Sequence, residues 1–420
     1  MPEHLFSGVF VEELGTSPKP IEGVPTGTCA FVGPARKGRV GVTPKLLTSF
    51  AEFTRTFGGL DDLKFAGDAA GVRRCNYLAH SVQAFFNNGG TRLYVVRVMC
   101  GMRRGGANAV PDATDYAREY AAAFAKLEGL ADVSVVAAPG YSSWATMGDG
   151  AVYRAIQAAL VQHVQDPLRY RMAVLDAPPG ASPQQMLELR SLVDSSRASL
   201  YYPWVVVANP QGLPINPQVV PTNPLAPMQP AEIALPPSGF ICGIYACNDA
   251  ERGVHQAPAN MQVRGALRFE RDINAQEQDL LNPIGVNCLR AFPGKGLLVW
   301  GARTASTDPE WKYVNVRRYF NYLGASIERG IQWTVFEPNG ESLWARVRDI
   351  LTHFLHNEWA AGAIMGNKPE LAYFVRCDRT SMTQHDIDSG RLVCVIGVAP
   401  IRPAEYVIIR IGAWTAGGKP

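Results

Sequence analysis

The chain has 420 residues, 47% hydrophobic and 18% charged, an ordinary globular balance that excludes wholesale disorder and exceeds the usual size of one hydrophobic core. Its formal net charge is only +3, so composition makes no case for direct nucleic-acid binding. No apolar run approaches the roughly 18 residues of a membrane span. The opening MPEHLFSGVF carries an acid and no basic segment, so the expectation is a chain that folds in a cytosol without membrane insertion.

In chain order, SGVFVEELG (7–15) reads as a short strand in which Val9 and Val11 alternate with Phe10 and Glu12. The following GTSPKPIEGVPTG is an extended Pro/Gly tether. TCAFVGPA reads as a strand, LLTSFAEFTRTFGG as a strand and a short helix, RCNYLAHSVQAFFNNGG as an amphipathic helix with a Gly stop, and TRLYVVRVM as a strand. ADVSVVAAPG, YRMAVLDAPPG and YPWVVVANP are apolar strands ending in Pro or Gly. The helix-like AVYRAIQAALVQHV and SPQQMLELRSLVDSS separate them. Strand alternating with helix predicts a parallel α/β organisation.

Residues 209–239 are Pro-rich and are expected to form a surface loop, because Pro is excluded from helix interiors and central strands. Beyond residue 283, GLLVWGAR and IQWTVFE read as strands. KYVNVRRYFNYLGASIERG and GESLWARVRDILTHFLHNEWAAG read as helices, the second with Leu343, Val347, Ile350, Leu351, Phe354 and Leu355 on one face. AYFVRCD and RLVCVIGVAP are strands. A last strand follows, in which Val407, Ile409 and Ile411 alternate with Tyr406, Ile408 and Arg410. Both terminal strands lack an obvious partner for their backbone N–H and C=O groups.

Motifs for chemistry are absent. No G-x-G-x-x-G follows a strand. There is no Walker spacing around the Gly-Lys-Gly of FPGKGLLVW, no HExxH and no GxSxG. The eight cysteines, at 29, 75, 100, 242, 247, 288, 377 and 394, read as reduced small hydrophobes. Cys242 and Cys247 lack a second ligand pair for zinc. His353 and His356, one helical turn apart, read as a solvated face. An α/β enzyme of hydrolase type using residues 130–210 is the alternative. Its one candidate is Asp176, at the carboxyl end of a strand, where a turn or helix-capping role competes. The expectation is no catalytic residue, no cofactor and no metal. Lys312, Arg317 and Arg318 on one predicted helix, and Arg346 and Arg348 on another, are either solvated faces or a docking face for an acidic protein.

The stretches GKGLLVWGARTASTDPEWKYVNVRRYFNYLGASIERGIQWTVFEPNGESLWARVRDI, ELAYFVRCD and DIDSGRLVCVIGVAPIRPAEYVIIRI resemble the C-terminal domain of contractile tail sheath proteins of phage tails, tailocins and extracellular contractile injection systems. GVFVEELGTSPKPIEGVPTGTCAFVGPARKG, AFFNNGGTRLYVVRV, VLDAPPG, YYPWVVV and PPSGFICGIYACNDAERGVHQAPAN are similar to other parts of that family. The resemblance implies an α/β (α+β overall) structural subunit, not an enzyme. Residues 26–100 plus 285–403 would form a discontinuous inner sheath domain. Residues 101–284 would form an inserted outer domain, and 1–25 and 404–420 extended strand arms. Arm residues Val9, Phe10, Val11, Glu12, Tyr406, Val407, Ile408, Ile409 and Ile411 would augment a sheet of another copy near residues 374–377 and 391–398. Implied partners are further copies of the chain, an inner tube protein contacted through the basic helices, a baseplate, and tail-terminator or cap proteins. Assembly would occur in the bacterial cytoplasm, with the particle outside the cell after release. A free β-augmentation adaptor, monomeric when alone, is a further alternative.

Overall fold

The computed structural model describes residues 20–41, 43–63, 74–99, 113–146, 150–209 and 232–405. The expected arm strand 8–13, all of the expected arm strand 405–411 except Glu405, and residues 210–231 of the Pro-rich stretch lie outside them. The chain divides into two compact units, Val24–Ala325 with Pro400–Pro420, and Ser326–Ala399 with Met1–Gly23.

The larger unit contains β1 (Cys29–Pro34), β2 (Lys45–Leu47), β3 (Leu93–Val98), β4 (Val135–Ala137), β5 (Met172–Asp176), β6 (Ala198–Tyr202), β7 (Val205–Ala208), β8 (Glu232–Leu235), β9 (Arg268–Phe269), β10 (Val286–Phe292) and β11 (Gly296–Val299). Eight of them form one sheet in the order β11-β10-β6-β5-β4-β1-β3-β2. From β10 to β3 every pairing is parallel, while the edge strands β11 and β2 run antiparallel. β7, β8 and β9 make a separate antiparallel sheet.

A parallel sheet must be covered on both faces, and its strands are accordingly apolar throughout. Alternate residues divide cleanly between the two covers. Phe31, Val95, Val135, Val174 and Tyr201 meet helices α2 (Tyr77–Asn87) and α6 (Ser238–Arg252) on one face. Val32, Val96, Val136, Leu175 and Leu200 meet α3 (Ala113–Ala125), α4 (Ala151–Gln165) and α5 (Pro183–Ser191) on the other. Local sequence starts these helices where expected. The Asn76 side chain accepts from the Ala79 N–H at the head of α2, and Ser182 and Gln185 form a reciprocal capping box on α5.

α2 and α6 approach closely because two glycines of α6 face α2. A β-carbon at Gly239 would fall 2.6 Å from Ser81 Cβ, and one at Gly243 would fall 2.5 Å from the Phe85 carbonyl oxygen. Backbone cannot yield as a flexible side chain can, so the contact is sensitive to one methyl group.

The structure changes several local expectations. β4, β5 and β6, from the 101–284 stretch, lie between β1 and β10 in the same sheet. YYPWVVV is two strands in two sheets, divided at a cis Tyr202–Pro203 bond. The stretch expected to be a loop to residue 239 ends earlier: Ile233 and Leu235 of β8 are buried, and α6 begins at Ser238. IQWTVFE forms a short 3-10 turn at Gln332–Thr334 rather than a strand, with Val335 and Phe336 exposed and Phe336 at φ 71°. Its apolar alternation has no ladder to join.

Gly243→Ala should therefore destabilise the chain by about 1–3 kcal/mol through overpacking, although alanine favours a helix. Urea denaturation followed by tryptophan fluorescence checks this. An unchanged or raised midpoint would show that α2 and α6 can move apart at no cost.

Candidate assembly interface

The carboxyl end of β5 is where a ligand would bind in an open α/β sheet. Asp176 occupies it, fully buried, and both of its oxygens are already used. The Ser238 N–H and hydroxyl each donate to the carboxylate at 2.7 Å. Burial pushes the carboxyl up to about 7 despite these two bonds. Asp176 is thus a cap on the N-terminus of α6, supplied by a strand 62 residues earlier. A substrate has no access to it.

The basic residues separate into different environments. Helix α8 (Val314–Gly330) begins after Lys312, which belongs to the preceding turn rather than to the helix. Arg318 is buried, not solvated: its side chain is 4% exposed and forks onto Asp249 at 2.8 and 2.5 Å. The Thr26 hydroxyl also donates to Asp249, at 2.6 Å. Arg317 stacks over Trp311, 3.8 Å from the ring centroid, and burial lowers it to about 10. Neither arginine is therefore presented on an open helix face, which corrects the expectation of a Lys312/Arg317/Arg318 docking stripe. On α9 (Glu341–Ala360), Arg346 is about half exposed, 3.1 Å from Glu337 and over the Trp333 ring. Arg348 lines a groove with Glu341, Trp344, Cys377 and Asp378. His353 and His356 lie exposed on the same helix, and no metal-holding cluster occurs among the described residues.

Lys312 instead joins a cluster around Glu405, the last described residue. Arg303 donates to both carboxylate oxygens, at 2.7 and 2.5 Å, with its third nitrogen on the Asn282 carbonyl at 2.9 Å. The Tyr313 hydroxyl donates at 3.1 Å and the Lys312 ammonium lies at 3.4 Å. Arg303 is itself fixed to the large sheet. Buried Asn287 of β10 accepts from its N–H at 2.7 Å and donates to its carbonyl at 2.8 Å. Glu405 is thereby tied to the sheet that forms the core of its own unit.

The smaller unit offers a different feature. β12 (Tyr373–Arg376) and β13 (Val395–Val398) pair antiparallel as a two-stranded sheet, joined by no third strand among the described residues. Phe374 and Val395 on it are 46% and 43% exposed.

Residues 113–305 match the phage tail sheath protein central domain and residues 306–413 the phage tail sheath C-terminal domain. The chain belongs to the contractile tail sheath family. It is 27% identical over 183 residues to the tail sheath protein of Vibrio phage KVP40, and 26% identical over 187 residues to that of Enterobacteria phage T4. These alignments take in 43% and 44% of this chain, and only 26% and 28% of the relatives' own length. The anti-feeding prophage helical sheath in its contracted state superposes with a TM-score of 0.72 at 27% identity, covering 96% of this chain and 98% of that one. The PVC sheath of an extracellular contractile injection system, also contracted, gives 0.73 at 26% identity, covering 98% of each.

Within this family member, Arg303 and Asn287 escaped sequence reading. The signal was present: an arginine in GLLVWGAR and an asparagine in GVNCLRAF interrupt apolar runs, and a polar group there requires a buried partner. The partner, Glu405, is 102 residues beyond Arg303 and invisible to local pattern.

Burial raises the Glu405 carboxyl, but Arg303, Lys312 and Tyr313 together hold it below the ordinary 4.5. A depressed carboxylate adds stability above about pH 4.5 and loses it as pH falls through the folded value. Glu405→Gln should cost about 2 kcal/mol at pH 7, and the difference from wild type should shrink towards pH 3. Chemical denaturation at the two pH values checks this. Equal losses at both would mean that the charge contributes nothing.

Proposed function

We propose that the chain is the repeating structural subunit of a contractile sheath. Copies polymerise around a rigid inner tube in an extended, metastable lattice. A trigger at the baseplate lets the lattice shorten and widen, and the tube is driven through a target envelope. No nucleotide is consumed, because the energy is the difference between two packings set at assembly. Tail-terminator or cap proteins close the far end. Assembly takes place in the bacterial cytoplasm, and the particle acts outside the cell after release.

The observation that carries this reading is the β12–β13 sheet, within a family whose contracted sheath superposes on almost the whole chain. A two-stranded sheet is marginal alone, and its outer edges are templates for further strands. Val9, Phe10, Val11 and Glu12 of one copy, and Tyr406, Val407, Ile408, Ile409 and Ile411 of another, have the composition to fill those edges. Each backbone bond gained nets about 0.5–1.5 kcal/mol, so a few per strand link subunits while Pro/Gly tethers permit rotation. The anchoring of Glu405 supports the same reading, because it sets the point from which residues 406–411 depart.

Two tests follow from this reading. Deleting residues 1–19, which leaves the buried Ile21 in place, or introducing Val407→Pro or Ile409→Pro, should abolish striated tubes in negative-stain micrographs and leave the melting temperature of the isolated subunit nearly unchanged. A subunit that instead unfolds uses these strands in its own core. For the tube, Arg346 and Arg348 are the basic pair that supports an acidic partner. Arg346→Glu should weaken co-assembly with tube most at low salt, where exposed charges are least screened. Salt-independent, undiminished co-assembly removes Arg346 from the tube contact.

A further inference from the structure

The smaller unit carries two thiols that the structural role does not use. β12 and β13 pair as Tyr373↔Val398 through Arg376↔Val395, so the next residues in register are Cys377 and Cys394. Residues directly opposite in an antiparallel pair have Cα atoms about 4.5–5.5 Å apart. That lies inside the range over which a disulfide closes without backbone movement. Both cysteines are present as thiols. The loop between them, 378–393, is already closed at its base, where the Ser381 hydroxyl donates to the Val393 carbonyl at 2.9 Å.

We propose that Cys377 and Cys394 form a reversible disulfide that clamps β12 to β13. The co-reactant is a low-molecular-weight disulfide such as oxidised glutathione. One cysteine thiolate attacks a glutathione sulfur, breaks the S–S bond and releases one glutathione thiolate, which takes up a proton. The second cysteine then attacks the protein sulfur of the mixed disulfide and expels the other glutathione. Two protein thiols are oxidised, and one disulfide is reduced to two thiols.

The surroundings suit the exchange. The Cys394 thiol interacts directly with the Cys377 sulfur and holds it below the ordinary thiol range. Burial opposes this, and the nearby Arg348 guanidinium assists. The same contact raises Cys394. One sulfur is thus biased towards thiolate and its neighbour kept as a thiol. Cys394 is partly exposed and is the sulfur that meets glutathione first, while Cys377, 1% exposed beside Glu341, Trp344 and Arg348, closes the bond in the second step. Cys29 and Cys242 give the contrast: both are wholly buried between β1 and α6, so neither can make the first attack on an external disulfide. A particle that is assembled in a reducing cytoplasm and works outside it crosses the redox boundary at which such a clamp closes.

The clamp goes beyond the sheath reading, and its test uses the unpolymerised full-length chain, so the two fail separately. The folded protein is incubated with oxidised glutathione, alkylated, digested and mapped by mass spectrometry. The expected result is a peptide cross-linked through Cys377 and Cys394, the loss of two titratable thiols per chain, and reversal by dithiothreitol. The oxidised protein should melt about 5 °C or more above the reduced one. Cys394→Ser and Cys377→Ser should each abolish the cross-link. Either variant suffices if the other fails to fold. Retention of both thiols, a lasting glutathione adduct on Cys394, or a cross-link that leaves the melting temperature unchanged would overturn the proposal.

Discussion

The larger unit is governed by one constraint: a parallel sheet cannot leave either face in water. β1, β4, β5 and β6 are buried along nearly their whole length, so two separate helical layers must cover them. α6 comes from far along the chain to lie beside α2, and Gly239 and Gly243 let it seat at backbone distance. That cover buries the N-terminus of α6, which then needs an acceptor inside the protein. Asp176 at the end of β5 supplies it. The same helix carries Asp249, which neutralises Arg318. Each polar pair in the interior therefore follows from where the apolar surfaces had to go.

This arrangement leaves the usual ligand position of an α/β sheet filled by the protein itself. A carboxylate that caps a helix with both oxygens, fully enclosed, is a structural part. The fold resembles that of enzymes in its wiring, but the chemistry of its switch region is used for packing.

The smaller unit follows the opposite rule. Among the described residues its sheet has two strands, and apolar side chains such as Phe374 are exposed. Backbone groups on open edges are satisfied by solvent or by another chain. Under the sheath reading, stability of the lattice and incompleteness of the subunit are the same property. In the larger unit, the Arg303–Glu405 fork ties the last described residue to the sheet.

The element types were largely readable from the sequence. Apolar runs closed by Pro or Gly marked β1, β4 and β5, and the apolar face of Leu343 to Leu355 at helical spacing marked α9. These signals are local: period, caps and turn residues act within a few positions of themselves. Strand neighbours were not readable: nothing in 101–284 announces that β4, β5 and β6 lie between β1 and β10. Parallel pairing joins residues far apart in sequence and leaves no local signature of which strand lies next to which. The fate of the charges was equally hidden. Arg317 and Arg318 read as a solvated helix face, yet one stacks on Trp311 and the other is buried on Asp249, 69 residues away. Whether an ionic side chain is a surface group or an interior brace depends on its partner, and only the tertiary structure brings that partner within reach.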